Sequence, residues 1–327
     1  MTPLRPSSLL SRRLVIVTGK GGTGKTTVAA ALAVAAAGAG LRVLLVEVGR
    51  DEQIPSLFAP GSPAAGYAGR EVHPGITSMQ IDPFAALGEY LALQLGVSAP
   101  VALVLRNRAF RQLMEASPGW RELITLGKIW HLEQMQVSPG RARWDLIVVD
   151  APATGHGVTF LSAPRVVVSA LRTGPLRRHA AMVEALVEDP LRTALLPVAL
   201  AEELPVRETE QLVRNVESEV GIRIDRVVVN AVLPRPFPAG LDDLDERLRR
   251  LPGDAPLGEL PPPRILAACA AHLRARWMLH EHWAHALAAS TRLPCVRLPY
   301  LAEGVEGPTS LAVLGAALLG GGPAEAT

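Results

Sequence analysis

The sequence predicts an α/β fold with a mostly parallel central sheet flanked by helices, and three observations predict it. Short apolar runs alternate with helical stretches along the 327 residues, which is how a parallel sheet covered on both faces reads. A glycine-rich loop, Gly19-Lys20-Gly21-Gly22-Thr23-Gly24-Lys25-Thr26-Thr27, sits between the first apolar run and the first helical stretch. A carboxylate, Asp150, directly follows the third run, Asp145-Leu146-Ile147-Val148-Val149.

Taken in order, Leu14 to Thr18 is a β-branched strand, and the Ala-rich Val28 to Ala37 is the helix after the loop. Val43 to Glu47 is the second strand. The segment Pro83 to Gln136 is too long for an ordinary crossover and carries apolar residues at helical spacing: Leu87, Leu91 and Leu95, then Leu123, Leu126 and Trp130. It reads as an inserted helical subdomain, to which Pro175 to Leu191 contributes, so residues 1–327 form one domain with insertions at 83–136 and 175–191. The further strands are Asp145–Val149, Val166–Ser169, Ala194–Leu200, Val227–Asn230 and Val296–Leu298. Leu233 to Pro263, with eight prolines including Pro261-Pro262-Pro263, is a loop around a charged helical piece, Asp242 to Arg250.

Composition excludes several classes of function. The 33 basic and 31 acidic side chains nearly cancel, so nothing in the global charge suggests a nucleic-acid partner. Two widely spaced cysteines, Cys269 and Cys295, point to a reducing compartment rather than a disulfide framework. The N-terminal Met1 to Arg13 has Arg5, Arg12 and Arg13 but no apolar core of a leader. The apolar runs Val28–Leu41 and Leu311–Ala324 fall short of a membrane span. A cytoplasmic protein with no integral membrane segment is the expectation.

The loop satisfies G-x-x-x-x-G-K-[ST], which needs glycines so that successive N–H groups point at phosphate oxygens without Cβ clashes. Lys25 supplies charge to the β- and γ-phosphates, and the Thr26 hydroxyl ligates Mg²⁺. The strand, loop, helix order marks a P-loop NTPase. Asp150 lies where a Mg²⁺-bound water needs an acceptor. Lys20 has no role in a simple phosphate loop. It is either an exposed loop lysine or a group that reaches the nucleotide of a partner chain.

These motifs resemble the ArsA-like branch of the deviant P-loop ATPases, which includes the arsenite-pump ATPase and the targeting factors of tail-anchored membrane proteins. The likeness runs from about Leu14 to Leu311. Lys20 matches the signature lysine of that family, and Asp150-Ala151-Pro152-Ala153-Thr154-Gly155-His156 matches its second switch, D-T-A-P-T-G-H. Glu203 to Thr209 resembles its E-x-L-x-x-x-E-T segment. Asn230 falls where the family places an adenine-reading asparagine, and Pro299 and Tyr300 where it places the loop around the base. The resemblance implies an ATP hydrolase binding ATP/ADP with Mg²⁺, working as a nucleotide-dependent homodimer, or as a heterodimer with a paralogous ATPase, on an unknown protein client. The closest likeness is to bacterial members that carry V-E-V after the second strand and occur as pairs.

Departures from the family pattern qualify that implication. Gly49, in Val46-Glu47-Val48-Gly49-Arg50, stands where the family has the first-switch aspartate that orients water, so turnover by this chain alone is expected to be weak. Glu47, Asp51 or Glu52 could substitute, but none sits at the matching place. The C-x-x-C zinc clasp and the metalloid-binding cysteine trio are both missing, so zinc is not expected. With six methionines there is no Met-rich groove. Positioning ATPases that act on DNA or membrane would need a basic surface or a basic amphipathic terminal helix, and Leu311 to Thr327 has neither lysine nor arginine.

Overall fold

The protein is described as a computed structural model over residues 7–49, 51–95, 105, 107–116 and 119–320. Arg5, Arg50, parts of the 83–136 insertion and the tail past 320 therefore lie outside the described residues, as do the side chains of Leu95 and Thr154 to His156. The chain opens with α1 (Ser7–Leu10), β1 (Leu14–Gly19), α2 (Lys25–Gly38), β2 (Val43–Glu47) and α3 (Ile54–Phe58). An antiparallel pair, β3 (Arg70–His73) and β4 (Ile76–Gln80), precedes α4 (Pro83–Leu95), α5 (Arg108–Ala116) and α6 (Trp120–Gln134). A small hairpin, β5 (Gln136–Ser138) and β6 (Arg141–Ala142), leads into β7 (Leu146–Ala153), α7 (Thr154–Ala170) and α8 (Pro175–Glu188). The C-terminal part is β8 (Thr193–Leu200), α9 (Glu203–Glu219), β9 (Val227–Val232), α10 (Leu244–Arg249), α11 (Pro263–Thr291), β10 (Cys295–Pro299) and α12 (Pro308–Leu318).

Among the described residues, eight strands form one sheet in the order β10-β9-β8-β1-β7-β2-β4-β3. Every pairing is parallel except β3 with β4 at the edge. Successive strand residues point to opposite faces, and both faces are buried. Leu14, Ile16, Leu44, Val46, Ile147 and Val149 join the core beneath α6 to α9. Val15, Val17, Val43, Leu45, Leu146 and Val148 join the core beneath α2 and α12. This is why the central strands read as unbroken apolar runs rather than alternating ones. It also leaves the carboxyl ends of β1, β7, β8 and β9 side by side, which is where open α/β sheets bind ligands.

The structure corrects several expectations. Val166 to Ser169 is helix, the last turns of α7, and not a strand. Val166 is exposed, while Val167 and Val168 pack on Leu123, Ala163 and Ala180. A β-branched run has preference for strands only where it fits a pleated surface, and here the packing of α7 on its neighbours overrides it. The third strand begins at Leu146 and runs on to Ala153, so Asp150 lies within it rather than after it. Asp145 instead takes a two-oxygen ion pair from Arg42 at 2.8–2.9 Å. The β3–β4 pair and the 29-residue α11 are additions to the elements expected from sequence.

Candidate nucleotide site

The loop between β1 and α2 is shaped by its glycines. Gly19 ends β1 hard against the Val198 carbonyl, where a Cβ would collide. Gly22 and Gly24 take left-handed backbone, with φ of 83° and 84°, a region that costs other residues strain. At Gly24 a Cβ would also strike the Asn230 amide. Gly21 is exposed at the tip, and Thr23 is buried, its hydroxyl donating to the Lys20 carbonyl at 2.9 Å. Lys25, Thr26 and Thr27 form the first turn of α2, whose unpaired N–H groups and dipole face the loop.

Side chains from distant strands converge here. Lys25 Nζ donates to the Lys20 carbonyl at 2.9 Å, and burial, opposed by the charge of Asp150, lowers its pKa. Thr26 Oγ1 donates to Asp150 Oδ2 at 2.6 Å. Burial pushes the Asp150 carboxyl up to about 6 against that hydrogen bond and the Lys25 charge. Its second oxygen, Oδ1, is buried with no hydrogen-bond partner among the described residues. A hydroxyl beside a buried carboxylate with a spare oxygen is an oxygen donor pair that fits Mg²⁺. Asn230 comes from the end of β9, and its Nδ2 donates to the Thr23 carbonyl at 3.0 Å. Pro299 ends β10, and the Tyr300 N–H donates to Val232 O at 2.9 Å. Tyr300 lines an open cleft off the ends of β8 and β9.

Two features were missed in the sequence. Lys20 Nζ lies 2.7 Å from Glu208 Oε1 on α9 of the same chain, both side chains about one-third exposed. Arg276 and His280 of α11 line the Tyr300 cleft with His272; their spacing of four residues puts them on one helix face and could have flagged them.

The substitutes for a first-switch aspartate are differently placed. Glu47 is buried and accepts the Gln53 N–H at 2.8 Å and the Ile54 N–H at 3.2 Å. Glu52 accepts N–H groups of Ala65 and Gly66. Asp51 is exposed. Gly49 is exposed too, and its carbonyl accepts from Gln80 Nε2 at 3.1 Å.

A parallel sheet whose first βα turn is this loop, with a strand-borne aspartate bonded to its threonine, defines a P-loop NTPase fold. The chain belongs to the anion-transporting ATPase family, which it matches over residues 12–186 and 175–240. It is 35% identical over 232 residues to ATPase BagA of Mycobacterium tuberculosis, covering 70% of this chain and 68% of that protein. An arsenical pump-driving ATPase of Escherichia coli is 28% identical over 67% of this chain and 39% of its own length. ATPase GET3 of Rhodotorula glutinis is 27% identical over 68% and 71%. Among the described residues no helix is long and apolar enough to cross a membrane, and both cysteines are free.

Proposed function

We propose that this chain is a cytoplasmic ATPase subunit that binds Mg-ATP in the β1–α2 loop and acts as one half of a nucleotide-dependent dimeric switch for a protein client. The observation that carries the reading is the Thr26–Asp150 pair at 2.6 Å, with Asp150 Oδ1 buried and without a partner among the described residues. Thr26 and Asp150 would hold Mg²⁺, which when bound offsets phosphate charge. Lys25 serves the phosphates, Asn230 the base edge, and Pro299 and Tyr300 the face of the base. Asn suits a purine edge because its amide both donates and accepts. The helices of segments 83–136 and 175–191 form the inserted layer that the switch would move.

Gly49 favours a second reading alongside the first. Phosphoryl transfer rests on positioning and electrostatics, and here the water-orienting position has no side chain. Glu47 and Glu52 are already committed to backbone N–H groups. The chain would then be the weakly hydrolysing partner of a paralogous ATPase and complete that partner's site with Lys20.

Equilibrium binding and turnover of the chain alone test the site. Lys25→Ala should weaken Mg-ATP binding by about 100-fold or more, since a charged phosphate contact is lost, while Cys269→Ser leaves it unchanged. Wild-type turnover should be slow, and Gly49→Asp should raise it by restoring a carboxylate at the water-orienting position, where no described atom lies within 4 Å of a Cβ. Wild-type affinity in Lys25→Ala would overturn the site; brisk wild-type turnover would overturn the role given to Gly49.

A further inference from the structure

Helices α4, α6 and α8 line a pocket that opens to solvent on one side, and no residue of the phosphate loop lines it. Its walls differ from those of helices that merely cover a sheet. At Gly127 of α6 a Cβ would stand 2.8 Å from Nε2 of His179, so the missing side chain is what lets the α8 imidazole lie against α6. Tyr90 and Trp130 flank that ring, with centroids 4.9 and 5.3 Å away. Burial, helped by the neighbouring His131, lowers the pKa of His179, leaving a neutral ring with one nitrogen lone pair. Glu89 accepts from Lys128 Nζ at 2.5 Å and from the Tyr67 hydroxyl at 2.6 Å, both through Oε2. Burial opposes its charge, but those two bonds together with the charges of Lys128 and His131 outweigh burial and hold its pKa low. Leu93 and Met182, 64% and 43% exposed, form an apolar lip.

We propose that this pocket binds a small, uncharged, planar aromatic molecule that carries a hydrogen-bond donor, of the indole or phenol type. A flat apolar body suits walls made of aromatic rings with Ala86 and Ile124. Charge decides the head group. Glu89 is already neutralised by Lys128, so an ammonium or carboxylate on the ligand would place an uncompensated charge in a mostly apolar space. The second oxygen of Glu89 and the His179 lone pair both call for a donor. The N-terminal ends of α4 and α6, at Pro83, Phe84 and Arg121, line the space beside Gly49. A ligand that fixes these two helices against each other therefore bears on the first switch.

The test is calorimetric titration of the full chain, without nucleotide, using indole, tryptamine and indole-3-acetate as probes. Indole should saturate one site with a Kd below about 1 mM, and the two charged analogues should bind at least about tenfold more weakly. Met182→Trp, which blocks the mouth, and Gly127→Ala, which drives His179 inward, should each weaken indole by about tenfold while Mg-ATP affinity stays within about twofold. The lip position of Met182 is tolerant, so that variant keeps the test alive if Gly127→Ala fails to fold. Absence of saturable indole binding, equal binding by Met182→Trp, or tryptamine binding as tightly as indole would each overturn the proposal.

Discussion

Glu47 closes β2 as a buried carboxylate, and burial, partly opposed by the N–H bonds from Gln53 and Ile54, pushes its pKa up to about 7. A folded pKa above the unfolded value means that stability is fully present below about pH 4.5 and is lost as pH rises through about 7. The penalty at pH 8 is on the order of 3 kcal/mol. Glu47→Gln keeps an acceptor for the N–H groups without the charge. Its stability relative to wild type should therefore improve by up to about 3 kcal/mol between pH 5 and pH 8, read from urea unfolding at each pH. A pH-independent difference would show that Glu47 is not charged at pH 8. Asn230 offers a second test. Its donor to Thr23 O fixes which way the amide faces, leaving one N–H and the Oδ1 for a ligand. Asn230→Ala should reduce discrimination between ATP and GTP by roughly 1–3 kcal/mol in competition binding. Asn230→Asp should be worse, because it sets a carboxylate oxygen against the Thr23 carbonyl. Equal competition by the two nucleotides for the wild-type protein would remove the base-reading role.

Between β1 and α2 every local signal agrees: a β-branched strand, glycines at the left-handed positions, and an Ala-rich helix. That stretch, with Lys25, Thr26 and Asp150, was legible in the sequence for this reason. Elsewhere local signals compete. The β3–β4 pair is announced only by Pro74-Gly75, with Gly75 at φ 79°, and its strands are too short for clear alternation. Val166–Ser169 has strand composition but lies in α7, because neighbouring helices supply its burial. Replacing exposed Val166 by Ala should therefore stabilise the protein by about 0.3–0.6 kcal/mol, the helix-propensity difference, measured by urea unfolding. A loss of stability would contradict a helical role at that site. The Lys20–Glu208 contact spans 188 residues, and no periodicity in a single chain encodes such a pairing.

On the scale of the whole molecule, the Lys20–Glu208 pair bears on the proposed dimer. An ion pair that is about one-third exposed is worth about 0–1 kcal/mol, much less than a charge-assisted phosphate contact. In the proposed dimer, Lys20 would therefore leave Glu208 for the partner's nucleotide at little cost. Glu208→Gln should raise partner-stimulated ATP turnover a few-fold, and Lys20→Ala should abolish the stimulation while binding by this chain persists. The assay is steady-state turnover with the second subunit added; stimulation unaffected by Lys20→Ala would refute the trans role. The sheet order carries a consequence for biosynthesis as well. Among the described strands β1 pairs only with β7 and β8, so this apolar strand leaves the ribosome about 130 residues before its first partner. At 5–20 residues per second that is on the order of ten seconds of exposure, with pairing limited by long-range closure. The nascent chain, rather than the finished protein, is where Leu14 to Val17 invites aggregation, and a chaperone acting on this protein would act before β7 is made.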